Sequence, residues 1–229
     1  EQTTLLSTGW NWTSFYVNAD DMNVSSVFAS VADGVETVKT KDEFANCDKG
    51  TWYGKTFDVD NRSMYKARMS STKVLKLIGS YGSKEDRTIT VVPGWNWIAY
   101  NNTQTASVAD ALAGINPQDG DMIKGQAGFA VFDGYEWTGS LKALTPGQGY
   151  MLHSASTSAR TFNYPSSLPA YVQKKAAAQR KQYSFSPIDH HKYPSNMTIT
   201  ARVTFDGVVQ QDAEVGVFVG DECRTAEFT

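Results

Sequence analysis

The chain has 229 residues, 41% hydrophobic and 12% aromatic, with 21 basic against 24 acidic residues and a net charge of −3. This composition excludes a disordered chain, and the charge balance gives no electrostatic case for nucleic acid or an anionic membrane. No apolar run approaches the ~20 residues that span a bilayer, so no transmembrane segment is expected.

The chain opens at Glu1 with neither methionine nor a charged-then-apolar leader, which predicts a mature or excised product. The first element is "GWNWTSFYV" from Gly9, short, aromatic and β-branched, the pattern of a strand. "NVSSVFASV" predicts a turn or two of helix, and "VETVKTKDEFANCD" alternates well enough for a hairpin. "TWYG" reads as a short strand after a turn, and "MYKARMSSTKVLKLIG" as two strands of a further hairpin. "RTITVVPG" leads into a second "GWNW" at Gly94, and the same order returns. Ser107 is placed to cap a helix in "ASVADALAGI", with Ala109, Leu112 and Ala113 at helical spacing. "DMIKGQAGFAVFD" predicts a hairpin turning near Gly125 to Gly128, "EWTG" a strand, and "GYMLHSASTSARTFNYP" another two-stranded segment.

The repetition extends beyond the tetrapeptide, which holds four of the six tryptophans. A shift of 85 positions, from Gly9 to Gly94, places Lys39 on Lys124, Phe44-Ala45 on Phe129-Ala130 and Asp48 on Asp133. It also places Trp52 on Trp137, Gly54 on Gly139 and Tyr65 on Tyr150, with no gap. Matched tryptophans in one register mark a duplication. The predicted fold is mostly β, with two tandem modules at 1–88 and 89–167, each carrying one short helix. After them "LPAYVQKKAAAQRKQ" changes character, so 168–182 reads as a helical linker. Residues 183–229 read as a partial β module, with Met197, Ile199, Ala201 and Val203 alternating along a strand. A turn is expected at Asp206-Gly207, with "AEVGVFVGDECR" as the partner strand. Two strands are too few to stand alone, so this stretch is expected to belong to a further module or to complete a sheet elsewhere.

The pattern "LxxGWNWxSF … VKxxxxFA … W.G … Y" resembles the GWNW-type tandem repeats of secreted or cell-surface proteins of Bacteroidota. The tail, with its Gly-Asp-Glu-Cys-Arg run at 220–224, is similar to a β segment that follows such repeats. The resemblance implies an extracellular or cell-surface location and a non-enzymatic role in adhesion or glycan capture. It supplies no catalytic residues.

On a strand, residues i and i+2 share a face, so Trp10 and Trp12 point together, as do Trp95 and Trp97. Such paired indoles could stack sugar rings, or fill a module core or the seam between copies. The glycine before them and the asparagine between them favour a tight structural corner, and these four are expected to be structural aromatics. Trp52 with Tyr53, and Tyr135 with Trp137, flank the loops "NCDKGT" and "VFDGYE" and are the expected ligand-binding residues.

The acidic groups Asp20-Asp21, Asp58-Val59-Asp60-Asn61 and Asp119-Gly120-Asp121 include oxygen-rich spacings, but none carries the glycine and distant glutamate of an EF-hand. They read as solvated loops. His190-His191 lies in a proline-flanked connector, and adjacent extended residues point apart, which makes a poor chelate. His153 has no ligating neighbour in sequence. Cys47 aligns with Phe132, an apolar position, and with Cys223 is expected to stay a free thiol. No nucleophile elbow or phosphate loop is present. The expectation is a non-catalytic protein with no cofactor and no metal. Its partners would be a glycan or a surface protein, and it would act either as an adhesive binder or as a structural spacer that assembles into oligomers or fibres.

Overall fold

A computed structural model describes residues 1–172, 184–185, 189–199, 201–210 and 213–228. They fall into two units: Glu1–Tyr171 with His191–Ser195, and Val172–His190 with Asn196–Thr229. Both sequence copies lie in the first. The protein is mostly β, and no helix among the described residues is long and apolar enough to cross a membrane.

Copy one contains β1 (Gln2–Leu6), β2 (Gly9–Thr13), α1 (Val24–Val27), β3 (Val35–Lys39), β4 (Phe44–Asp48), β5 (Thr51–Tyr53), β6 (Tyr65–Met69) and β7 (Lys73–Leu77). Copy two contains β8 (Ile89–Val91), β9 (Gly94–Ala99), β10 (Ala106–Ser107), α2 (Val108–Leu112), β11 (Met122–Lys124), β12 (Phe129–Phe132), β13 (Trp137–Gly139), β14 (Ala143–Leu144), β15 (Gly149–Ser154) and β16 (Arg160–Phe162). The antiparallel five-stranded sheets have orders β2-β6-β3-β4-β5 and β9-β15-β11-β12-β13, which are the same order under the 85-residue shift. Two-stranded ribbons, β1-β7 and β16-β8, also correspond.

In each copy one sheet face, the helix and the ribbon enclose the core. Copy one buries Phe15, Phe28, Val38, Ala67, Met69 and Leu75; copy two buries Ile98, Tyr100, Leu112, Ile123, Leu152 and Phe162. This corrects the hairpins expected within 64–79 and 149–165. β6 pairs with β2 and β3 while β7 pairs with β1, and β15 and β16 divide in the same way. A sheet closes only one side of a core, and sending the next strand to the opposite ribbon covers the other. The helix face also differs from expectation. Ser107 caps α2 by accepting the Asp110 N–H at 3.0 Å, but Val108, Ala111 and Leu112 face inward while Ala109 and Ala113 are exposed.

The duplicated letters make duplicated bonds. Asn11 Nδ2 donates to the carbonyls of Ser7 (2.7 Å), Gly9 (3.1 Å) and Ala67 (3.4 Å), and its Oδ1 accepts the Ser7 N–H (2.8 Å). Asn96 does the same with Val92 (2.8 Å), Gly94 (2.9 Å) and Leu152 (3.3 Å), accepting the Val92 N–H at 2.9 Å. One amide thus satisfies a whole strand-entry corner. The Tyr65 hydroxyl accepts the Asp60 N–H at 2.7 Å, and its counterpart Tyr150 accepts the Thr145 N–H at 2.8 Å.

The copies meet along a seam with approximate two-fold symmetry. The Ser14 N–H donates to the Gly147 carbonyl at 3.0 Å, and the corresponding Ala99 N–H donates to the Arg62 carbonyl at 2.9 Å. Thr13 Oγ1 adds a bond to Gly147 (2.9 Å) and Ser14 Oγ one to Gln148 (2.6 Å). A Cβ at Gly149 would collide with Met64, its own counterpart, so the glycine lets the copies close.

The second unit contains two hairpins. β17 (Thr204–Phe205) pairs with β18 (Val208–Val209) across the expected Asp206-Gly207 turn, and β19 (Glu214–Val219) pairs with β20 (Glu222–Phe228). The long strand expected through Met197, Ile199, Ala201 and Val203 is not formed: residues 195–199 and 201–203 carry no strand. Met197 and Ile199 are exposed, so alternation there had no face to bury. Of the expected helical linker, 168–172 has no helix and 173–182 lies outside the described residues.

Candidate functional site

The period of two sends alternate residues of β2 and β9 to opposite faces. Ala67 and Leu152 opposite Asn11 and Asn96 face the cores, so the tryptophans of both tetrapeptides take the outer faces. None of the four belongs to either core cluster. In copy one Trp10 lies opposite Arg68 and Trp12 opposite Lys66, with Lys39 beside Lys66 on β3. In copy two Trp95 lies opposite His153 and Trp97 opposite Met151, with Lys124 beside Met151 on β11.

Each indole is matched with a cation. Lys66 Nζ sits between the copies, 4.8 Å from the Trp12 ring centroid and 4.6 Å from that of Trp97. Lys124 Nζ lies 4.9 Å from Trp95, and Lys39 Nζ lies 5.8 Å from Trp10. An ammonium over an indole face is attracted by the ring quadrupole, the more so once both leave water. Lys66 is 3% exposed, and its ammonium donates to Ser195 Oγ at 3.1 Å. Burial, with help from the Lys39 charge, pulls its pKa down to about 8. Burial also lowers Lys124.

The two faces differ in what covers them. In copy one a strap, His191–Ser195, runs over the β2 edge. His191 Nδ1 lies 2.7 Å from the Trp10 carbonyl, which requires the proton on Nδ1, and Trp12 Nε1 donates to the Pro194 carbonyl at 3.2 Å. Gln126 from copy two clamps the same edge, accepting the Trp12 N–H (3.0 Å) and donating to the Trp10 carbonyl (2.6 Å). Trp12 is consequently 2% exposed. Trp95 is 39% exposed, its indole edge-on to His153 with ring centroids 5.2 Å apart. Trp95 and His153 form an open pair of one indole and one imidazole, and Lys124, itself only 9% exposed, packs its ammonium against the indole.

The expected ligand-binding residues are not brought together. Trp52 turns inward beside Phe28, centroids 6.4 Å apart, and packs against the copy-one core. Trp137 packs against the copy-two core beside Phe132 at 5.5 Å. Both follow from pairing: Trp52 opposes Cys47 and Trp137 opposes Phe132, which share the core side of their sheets. Tyr53 and Tyr135 are exposed, Tyr135 at 95%, but on β5 and beside β13 they lie at the far ends of separate sheets. Of the four tetrapeptide residues, Trp12 and Trp97 flank the seam, Trp10 is half-buried and Trp95 is the most open. The lysines completing the patches were absent from the sequence reading as site residues, although the Lys39–Lys124 match offered a cue.

The remaining candidates have local partners. Asp60 Oδ1 accepts the N–H groups of Arg62 (2.9 Å) and Ser63 (2.8 Å), an Asx-type turn, and Asp58 accepts from Asn23 Nδ2 at 3.3 Å. Asp121 is fully buried against Arg160. No group of three or more His, Cys, Asp or Glu among the described residues is arranged to hold a metal. Cys47 is buried and free, with burial raising its thiol pKa, and Cys223 is also free. No protein-family model, curated protein or solved structure matches the chain.

Proposed function

We propose that the protein is a non-catalytic binding or adhesion module acting outside the cell, with the Trp95–His153–Lys124 face of copy two as its ligand platform. A glycan is the ligand class that fits best. A pyranose C–H face packs on an indole, and the flanking imidazole supplies hydrogen bonds at the rim. The observation that carries this reading is the exposure of Trp95 at 39%, while Trp12 is buried and Trp10 and Trp97 are half-buried. The resemblance to surface repeats of Bacteroidota agrees with an extracellular role in adhesion.

Trp95 supplies the stacking surface, so Trp95→Ala should weaken glycan binding by tenfold or more, about 1.4 kcal/mol. A glycan array followed by affinity electrophoresis on wild type and variant measures this. A wild type that stays blank across common polysaccharides, or binding that Trp95→Ala leaves unchanged, defeats the glycan reading. The second reading is a structural spacer, favoured by the lysine-bridged seam that fixes the copies together. It gains if no ligand is found and the protein self-associates.

A further inference from the structure

The approximate two-fold makes β9 the counterpart of β2, yet among the described residues a strap runs over the edge of β2 alone. A Cβ at Gly9 would lie 2.5 Å from the His191 carbonyl oxygen, whereas a Cβ at Gly94 would meet nothing within 4 Å. On β2 the outward groups are the Trp12 N–H and the Trp10 carbonyl, both engaged by Gln126. In the same register the outward groups of β9 are the Trp97 N–H and the Trp95 carbonyl. The residue in Gln126's corresponding place is Lys41. An ammonium has no acceptor, so Lys41 cannot close the Trp97 N–H as the glutamine amide closes that of Trp12. Beside Trp97 instead lies an open cleft of about 470 Å³, lined among others by Lys41, Asp42, Asp58 and Thr90.

We propose that this β9-edge cleft is a docking site for an extended, basic, proline-containing peptide segment of another chain, seated as His191–Ser195 is seated on β2. The inference goes beyond the glycan platform and concerns the sheet edge rather than its open face. The intramolecular strap defines the chemistry. It presents a backbone carbonyl to an indole N–H, a side chain to the exposed edge carbonyl, and no intrusion into the core. Such edge recognition draws affinity from main-chain groups and specificity from neighbouring side chains. The lining carboxylates Asp42, Asp58 and Asp60 outnumber the cations Lys41 and Arg62, which complements a strap that carries Lys192. A tethered strap has a high effective concentration at its own edge, so a segment supplied in trans meets β9 as the open site.

The test uses the synthetic peptide of residues 190–196, "HHKYPSN", titrated into the full chain by calorimetry. One-to-one binding is expected, weakened at least tenfold by Thr90→Arg, which fills the cleft with bulk and like charge from an exposed ribbon position. Thr90→Tyr replaces it should the arginine variant fail to fold. A scrambled peptide of the same composition should bind at least tenfold more weakly. Absence of peptide binding at millimolar concentration overturns the proposal. So does equal binding to wild type and both Thr90 variants, which would mean exchange with the strap on β2. A saccharide, rather than the peptide, being blocked by Thr90→Arg would assign the cleft to the glycan and overturn it as well.

Discussion

Replacing Asp121 with alanine is expected to remove about 3–5 kcal/mol of unfolding free energy, the range for stripping one partner from a buried ion pair. Asp121 is 0% exposed, and Arg160 Nη2 donates to both its oxygens at 2.9 Å. The carboxylate also accepts the N–H groups of Gln118 (3.0 Å) and Ala155 (2.8 Å), tying β11, the end of β15 and β16 together. Without it the guanidinium keeps its charge in a site where its remaining partners are the Asn116 carbonyl and Ser154 Oγ. Copy one offers an internal control. Its corresponding residue Glu36 pairs with Arg68 at 3.1 Å on an exposed face. Glu36→Ala should cost no more than about 1 kcal/mol. Urea unfolding of both variants measures the contrast, and similar midpoints for the two would refute it.

Lys66→Met should act in the opposite direction and depend on pH. The corresponding residue of copy two is Met151, so the substitution places a side chain of similar volume that the repeat already uses. With its folded pKa near 8, against ~10.4 for an unfolded lysine, the group is protonated in both states below pH 8. There the folded protein bears the full cost of the buried charge. Between the two values the unfolded chain holds more protons, so wild-type unfolding free energy rises with pH by up to about 3 kcal/mol. Lys66→Met removes both the cost and the slope. The variant should be more stable than wild type at pH 7, and the gap should narrow by pH 9.5. Burial raises Tyr65, Tyr100, Tyr150 and Tyr164 in both proteins, so their alkaline titration cancels in the difference. A variant weaker at pH 7 would show that the Trp12–Lys66–Trp97 stack contributes more than its desolvation costs, and a constant gap would show that folding leaves the Lys66 pKa unchanged.

The duplication and the β class were legible in the letters because both are local. Gly9, Asn11, Trp52 and Tyr65 recur at fixed offsets, and the corner bonds of Asn11 and Asn96 show the reason: one amide, one corner, one set of acceptors. The face taken by each tryptophan was not legible. A period of two groups Trp10 with Trp12, yet whether the pair or Asn11 turns inward depends on what Ala67 packs against. The same holds for Trp52 and Trp137, expected at exposed loops but half-buried against the cores in the fold. The strap was out of reach for a different reason. His191 meets Trp10 across most of the chain, its imidazole on a main-chain carbonyl that every residue carries and no letter marks. The alternation from Met197 to Val203 misled because a strand pattern needs a partner face as well as a period.

The sharpest contrast among the four outer-face tryptophans is that Trp12 is sealed and Trp95 open. Fluorine NMR of the 5-fluorotryptophan-labelled protein, with each resonance assigned by substitution, measures it through the solvent isotope shift in heavy water. The largest shift is expected at Trp95 and almost none at Trp12, with Trp52 and Trp137 between them. Equal shifts at Trp95 and Trp12, or Trp52 and Trp137 as the most solvated pair, would contradict it.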